Sequence, residues 1–340
     1  MRRSKITGIG ASVPEGLVTN HDLEKIMDTS DEWITQRSGI EQRHWAATDT
    51  TTSVSGIAAE ACREALEDAG LTTADVDMIL FATLSPDASF PGSACFLQAK
   101  LEVPGIPAID VRQQCTGFIY GLSIADLYIR SGQYDNILLV GAEMQSKCLD
   151  KQTRGRDMTV LFGDGAGAVV IQPTEVADPT AQSGESFILS THLHADGSHA
   201  RDLLWESPGT ANRIWNPPEL ATEPPAFPQM NGRLVFTNAV KRMPEVTLEA
   251  LEANGVALED VDLFVCHQAN ARINDKYAQV LKIPDGKMFN TIHKYGNTTA
   301  ATIPLGLYDA VKEGKLKPGS LVASAAFGSG FTWASALLRW

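Results

Sequence analysis

Apolar residues along this chain fall into two patterns, short nearly continuous runs and longer stretches with helical spacing, and the two alternate. Residues 76–83, 136–143 and 162–171 are of the first kind and predict buried strands. The third opens through a glycine-rich segment, Phe162-Gly163-Asp164-Gly165-Ala166-Gly167. Residues 54–69 predict an alanine-rich helix that stops at Gly70, and 92–101 predict another. Nearer the start, 1–12 read as a strand followed by a glycine-rich turn, and Asn20 as the cap of a helix through about Ile26. Capping residues ahead of an amphipathic turn then predict a short helix within 28–40.

The stretch from Ile109 onward joins the two patterns. Ile109-Asp110-Val111 is partly β-branched and strand-like, whereas Phe118, Ile119, Leu122, Ile124, Ala125, Leu127 and Ile129 leave no fully polar face. That predicts a buried helix to about Arg130, stopped at Gly132, with Arg130 favourably placed at the negative end of the dipole. Cys115 lies at the handover from strand to helix, where unpaired backbone N–H groups and the helix dipole can stabilise a thiolate. Against that stands the tendency of free cysteines to be buried and inert.

One pattern recurs. Ala65-Leu66-Glu67, Gly70 and Val76-Asp77 reappear as Ala250-Leu251-Glu252, Gly255 and Val261-Asp262 at a constant offset (250 − 65 = 185; 261 − 76 = 185). In the same order, Leu138–Ala142 resembles Leu321–Ala325, and Phe162-Gly163-Asp164-Gly165 resembles Phe327-Gly328-Ser329-Gly330. These imply two homologous α/β halves, about 1–175 and 185–340, each with a largely parallel sheet covered by helices. A site between them is a natural place for a ligand. A proline-rich excursion at about 200–229 interrupts the second half and reads as a long loop.

Composition then narrows the classes. With 44% hydrophobic and 20% charged residues the 340-residue chain is that of a soluble globular protein, and its net charge of −13 argues against non-specific nucleic-acid binding. No run approaches the roughly 18 apolar residues of a membrane span, and the first residues are too short and glycine-broken for a signal segment. Five widely spaced cysteines fit neither a zinc site nor a disulfide framework, so a reduced cytoplasmic enzyme is expected.

The offset of 185 sets His267 opposite Ala82 (267 − 185 = 82), at a strand's C-terminal end, where open α/β sheets gather ligands. It is either a core histidine or a functional one. Asn297, after Gly296, either caps a helix or offers amide N–H groups to an oxyanion. His192, His194 and His199 alternate like ligands but no carboxylate or cysteine completes a metal spacing, so no metal is expected. The 162–167 glycines precede a strand-like run instead of opening a helix, which argues against a dinucleotide site.

Taken together, Asp28–Trp33 with Arg37, Asp110-Val111 to Cys115-x-Gly117-Phe118, the 162–168 glycines, Ser190–Gly197, His267-Gln268-Ala269-Asn270, Gly296-Asn297-Thr298 and Phe327-Gly328-x-Gly330-Phe331-Thr332-Trp333 resemble the β-ketoacyl-acyl-carrier-protein synthase III family of thiolase-like condensing enzymes. The resemblance covers nearly the whole chain. It implies a five-layered αβαβα fold from an internal duplication, a homodimer, and Cys115, His267 and Asn297 as catalytic residues. It further implies backbone N–H groups of Cys115 and Ser329 as the oxyanion hole; Trp33, Arg37, Asn270, Arg272 and either or both of Arg154 and Arg156 around coenzyme A; and Phe90 and Phe327 at the acyl pocket, with Phe90 closing the partner subunit's cavity. The implied reaction joins an acyl-CoA primer to malonyl-acyl carrier protein, or malonyl-CoA, with no cofactor beyond these thioesters.

Five departures from the family pattern stand out: Ser329 replaces a glycine, Arg112-Gln113-Gln114 replace mostly small residues, Thr237 stands where a lysine is common, the 151–158 stretch is slightly longer, and the 200–229 excursion is long. They leave open the alternative of an enzyme that condenses two acyl-CoAs or transfers acyl groups in secondary metabolism.

Overall fold

The computed structural model describes residues 1–48, 51–206 and 227–340. In chain order its elements are β1 (Arg2–Ser12), β2 (Leu17–Thr19), α1 (Asn20–Glu24), α2 (Asp31–Ser38), β3 (Gln42–His44), α3 (Val54–Asp68), β4 (Met78–Ala82), α4 (Ser93–Leu101), β5 (Ala108–Val111), α5 (Gly117–Ser131), β6 (Ile137–Met144), α6 (Arg156–Thr159) and β7 (Asp164–Glu175). There follow β8 (Phe187–Ala195), β9 (Leu203–Leu204), β10 (Gln229–Met230), α7 (Gly232–Ala253), β11 (Leu263–Phe264), α8 (Ala271–Leu281), α9 (Ile292–Tyr295), α10 (Thr302–Lys312), β12 (Leu321–Gly328) and β13 (Thr332–Arg339).

Two sheets share one strand order. The first runs β1-β7-β6-β4-β5, and the second, read from the equivalent edge, runs β8-β13-β12-β11. In the first, β6, β4 and β5 are mutually parallel and the β1–β7 and β7–β6 pairs antiparallel; in the second, β11 and β12 are parallel and the other pairs antiparallel, so the sheets are mixed, not largely parallel as the alternating pattern suggested. Helices α5 and α10 lie between the sheets in a shared apolar core that includes Leu80, Leu139, Ile119, Leu122, Ile303, Leu307, Val322 and Ala336. Helices α3 and α4 cover the far face of the first sheet, and α7 and α8 that of the second. The result is five layers of thiolase-like type. A buried sheet face on both sides explains why the strands read as continuous apolar runs.

The pairing corrects two of the three repeat matches. Met78 pairs with Ile137 and Leu263 with Val322, which keeps the offset at 185 for β6 and β12 (322 − 137 = 185). The likeness of Leu138 to Leu321 is therefore two residues out of register, an error that leaves the same side chains on the same face. Phe162–Gly165 and Phe327–Gly330 are not equivalent either. The first half spends residues 145–163 between β6 and β7, whereas only residues 329–331 join β12 to β13.

Other differences are local. Gly8 and Gly10 belong to β1 and not to a turn, because α3 packs hard against that strand: a Cβ on Gly10 would lie 2.2 Å from Ala61 O. Thr19, not Asn20, caps α1, in a capping box with Asp22. Asn20 is buried instead, its amide donating to Asp31 and to Ile40 O and accepting from Arg43. Residues 207–226 of the proline-rich stretch lie outside the described residues, but β9 and β10 pair antiparallel at its base.

Two short helical turns, Gln114–Thr116 and Thr299–Ala301, face each other between the sheets at the same offset of 185 (299 − 114). Both carry a non-glycine residue in the left-handed region, Gln114 at φ 46° and Thr299 at φ 50°, a strained geometry that a packed surround must enforce. Glu143, fully buried at the end of β6, holds this region from one side. It accepts hydrogen bonds from Ser85 Oγ (2.6 Å), from Leu84 N and from Ser85 N. The Ala300 N–H also donates to it. Burial nevertheless pushes its carboxyl up to about 7, against those hydrogen bonds.

Two measurements test this packing. Gly10→Val should cost about 3 kcal/mol of unfolding free energy, read from urea midpoints, since backbone and not a flexible side chain blocks the space; a change under ~0.5 kcal/mol would contradict the contact. For Glu143, a carboxyl with a folded pKa above its unfolded value stabilises the fold below the unfolded pKa and loses that contribution as pH rises through about 7. Raising the pH from about 5 to about 8 should therefore destabilise the native chain by up to ~3 kcal/mol more than Glu143→Gln. Equal pH dependence in the two would remove the buried charge from the account.

Candidate active site

Cys115 sits in the first of the two tight turns, just ahead of α5, with 9% of its surface exposed. Gly328, at the end of β12, is what makes room for it, because a Cβ there would come within 2.8 Å of Cys115 Cβ. The Thr116 and Thr332 hydroxyls, 2.9 Å apart, tie the turn to β13. The Ser329 N–H and Cys115's own N–H both point at the sulfur. That is the arrangement an oxyanion hole needs. Ser329 is not in the left-handed region, and its hydroxyl donates to Leu203 O in β9.

His267 follows β11, its N–H donating to Ala325 O (2.9 Å). The ring is buried, and Nδ1 lies 2.7 Å from Thr302 Oγ1. Thr302 Oγ1 donates its proton to Thr299 O (2.9 Å), so it must accept from Nδ1–H. That assignment leaves Nε2 as a lone pair. Asn297 is set by Gly296, whose φ of 64° and ψ of −157° suit glycine alone. Asn297 Oδ1 accepts from Thr299 N (2.9 Å), which leaves the NH₂ group as the free donor. The asparagine thus serves both ways at once, bracing a turn with its oxygen and offering its nitrogen.

Burial dominates the electrostatics. It pushes the Cys115 thiol up to about 12, and the charge of Glu143 adds to this, while the two N–H groups at the sulfur oppose it. Burial also pushes His267 down to about 3. The expectation of a thiolate stabilised by the helix dipole is corrected here: Cys115 lies in a turn ahead of α5, and desolvation outweighs the local N–H groups. At neutral pH the pair is thiol and neutral imidazole.

Two cavities meet at Cys115. The larger, about 530 Å³, is lined by Cys115, His267 and Asn297 at its floor and by Trp33, Arg37 and Arg272 further out. There the guanidinium of Arg37 lies 4.3 Å from the Trp33 ring and that of Arg156 4.5 Å. Arg154 is elsewhere, ion-paired with Asp150 (2.5 Å) and facing Phe227. Of the two candidate phosphate contacts, only Arg156 thus joins the Trp33 cluster. Asn270 caps α8 by accepting from Arg272 N and donates to Arg37 O (2.9 Å), which ties α8 to α2. Phe327 lines this cleft and not the second cavity, and Thr237 also borders it. Arg233, one turn before Thr237 on α7, lines it too and was not singled out in the sequence. A cation at i−4 from the position of interest was the signal for it.

The second cavity, about 400 Å³, is walled by Leu84, Pro86, Leu204, Trp205 and Met158 on its apolar side. Ala88 and Ser89 border it, but Phe90 is 84% exposed and does not line it. His192 and His194 do have a carboxylate partner after all, Glu249 of α7, at 3.1 and 2.7 Å. Among the described residues no group of three or more side chains could hold a metal ion.

Comparison with known proteins bears on this geometry. The family model described as 3-oxoacyl-[acyl-carrier-protein] synthase III matches residues 109–197, and its C-terminal companion matches 251–340. A β-ketoacyl-[acyl-carrier-protein] synthase III of Thioalkalivibrio sulfidiphilus is 45% identical over 339 residues, all of both chains. The crystal structure of 3-oxoacyl-[acyl-carrier-protein] synthase III from Aquifex aeolicus superposes with a TM-score of 0.87 at 43% identity, covering 99% of this chain and 100% of that one. The priming β-ketosynthase of the R1128 polyketide pathway superposes with a TM-score of 0.87 at 30% identity, covering 99% and 96%. On the strength of the full-length matches, this chain belongs to the β-ketoacyl-acyl-carrier-protein synthase III family.

Proposed function

We propose that this enzyme starts fatty acid synthesis by joining an acyl-CoA primer to malonyl-acyl carrier protein through an acyl thioester on Cys115. The observation that carries the reading is the meeting of Cys115, His267 and Asn297 at the floor of one cleft. Cys115 gives its proton to the free lone pair of His267 Nε2 and attacks the thioester carbonyl. The tetrahedral oxyanion is held by the N–H groups of Cys115 and Ser329. Collapse expels the coenzyme A sulfur, which takes the proton and leaves as thiol. When the malonyl thioester enters, loss of carbon dioxide moves an electron pair onto its carbonyl oxygen as an enolate. Asn297 donates to that oxygen through its free NH₂. His267 donates through Nε2–H in the other tautomer, which the Thr302 hydroxyl favours once it turns to donate to Nδ1. The enolate carbon attacks the acyl group, and the released Cys115 thiolate is reprotonated by solvent.

Trp33 with Arg37 and Arg156, and Arg233 and Arg272, fit the phosphates and adenine of coenzyme A by charge and stacking. The second cavity takes the acyl chain. A homodimer is supported by β5, which is an open edge of the first sheet, and by the exposed Ile109 and Phe90 beside it. Five free cysteines suit a reducing compartment such as the cytoplasm, and no described helix is long and apolar enough to cross a membrane. The full-length relatives favour this reading over condensation of two acyl-CoAs.

Labelled acyl-CoA should leave acyl mass on the native protein and none on Cys115→Ala. Asn297→Ala should still acylate but slow malonyl-dependent release of carbon dioxide by a few hundred-fold, as for loss of one oxyanion donor worth ~3–4 kcal/mol. Equal loss of both half-reactions in Asn297→Ala would contradict its assigned role. Comparing malonyl-acyl carrier protein with malonyl-CoA in the same assay identifies the second substrate.

A further inference from the structure

Cys115, Phe162 and Leu203 are the residues common to the two cavities; beyond them the acyl cavity has its own wall. Among the described residues that wall carries one cation, Arg112, and no carboxylate. Arg112 is exposed and Cys115 buried, so the cavity runs from the sulfur outward to the guanidinium. Gln114, half-buried and held at φ 46°, lines the same wall between them, and buried Gln145 borders it while donating to Glu143 and Thr299. Gln113, by contrast, turns away to bond the Tyr120 hydroxyl. Alternation along the chain thus puts Arg112 and Gln114 on the acyl side and Gln113 on the other. The cationic cluster at Trp33 borders the other cavity, so Arg112 is separate from the groups set for phosphates.

We propose that this cavity selects an acyl primer with a carboxylate at its far end, a half-thioester of a dicarboxylic acid, with Arg112 as the specificity-determining residue. The proposal rests on the acyl-transfer reading given above. A plain alkyl primer gives the guanidinium at the outer end of the cavity no partner, whereas a carboxylate of the right reach pairs with it. A terminal carboxylate accepts two parallel hydrogen bonds from the planar fork. The covalent step is unchanged: the primer's thioester carbonyl is attacked by Cys115 and coenzyme A leaves as thiol, while the distal carboxylate takes no part.

The test compares the rate of Cys115 acylation, read by intact mass, for succinyl-, glutaryl- and adipoyl-CoA against butyryl-, valeryl- and hexanoyl-CoA, in native enzyme and Arg112→Met. The native enzyme should favour the carboxylated member of at least one matched pair. Arg112→Met should shift that ratio toward the alkyl primer by ~10–100-fold, less than for a fully buried polar site because Arg112 is exposed. Reading a ratio cancels any general loss of folding. Preference of the native enzyme for the alkyl primer in all three pairs, or a ratio unmoved by Arg112→Met, overturns the proposal while the acyl-transfer reading stands. Absence of acylation by any of the six overturns both.

Discussion

Everything at this site depends on how closely two tight turns approach one another between the sheets. Gly328 leaves no space for a Cβ beside Cys115, and Gly141 leaves none beside Ala300, where a Cβ would lie 2.3 Å from the carbonyl oxygen. The left-handed residues Gln114 and Thr299 are the consequence. Each turn presents its next residue, Cys115 or Ala300, toward the other, and the surrounding packing holds the backbone before it in that sparsely populated region. The duplication builds the geometry twice. In one copy the presented residue is Cys115; in the other it is Ala300, whose N–H is taken by Glu143. A single nucleophile from a doubled scaffold therefore reflects which turn is left open to the cleft and which is plugged by a carboxyl group.

The same closeness sets the chemistry. Packing that excludes water makes both the thiolate and the imidazolium unfavourable, so the resting state is a neutral pair and the charge appears only as the reaction proceeds. Hydrogen bonds aimed at where charge develops are strongest under these conditions. The Thr302 hydroxyl gains importance from this, since a buried neutral imidazole acts as acceptor or donor only according to which nitrogen its partner protonates. Glu143 pulls in the opposite sense, as a nearby carboxyl that raises the thiol further.

Much of this was legible in the residues, for physical reasons that can be named. The helix–glycine–strand unit repeated at 185 was readable because its glycine stops and acidic loops are fixed by backbone geometry, whereas fully buried strands have no alternation to fix register, and the match of Leu138 to Leu321 slipped by two residues. Gly8 and Gly10 read as turn residues because nothing local announces a helix pressed against a strand. Thr19 and Asn20 are both capping types, and only the burial of Asn20 separates them. Cys115, His267 and Asn297 became a set through family resemblance. Their spacing alone left each with an ordinary structural explanation. Glu143 and Glu249 act through partners far away in sequence, which no local pattern could supply.

The short hairpin 329–331 links the reaction centre to the acyl cavity. Ser329 offers its N–H to the sulfur of Cys115 while its hydroxyl holds Leu203 in β9, which borders both cavities and pairs with β10 at the base of the 207–226 segment. A glycine there would supply the N–H without the tie. The hydroxyl therefore couples the position of an oxyanion donor to the wall of the acyl cavity, so that a change in that wall is felt at the sulfur. Specificity and rate are joined in one residue, and the join exists because the second half closes its hairpin in three residues where the first uses a long connection.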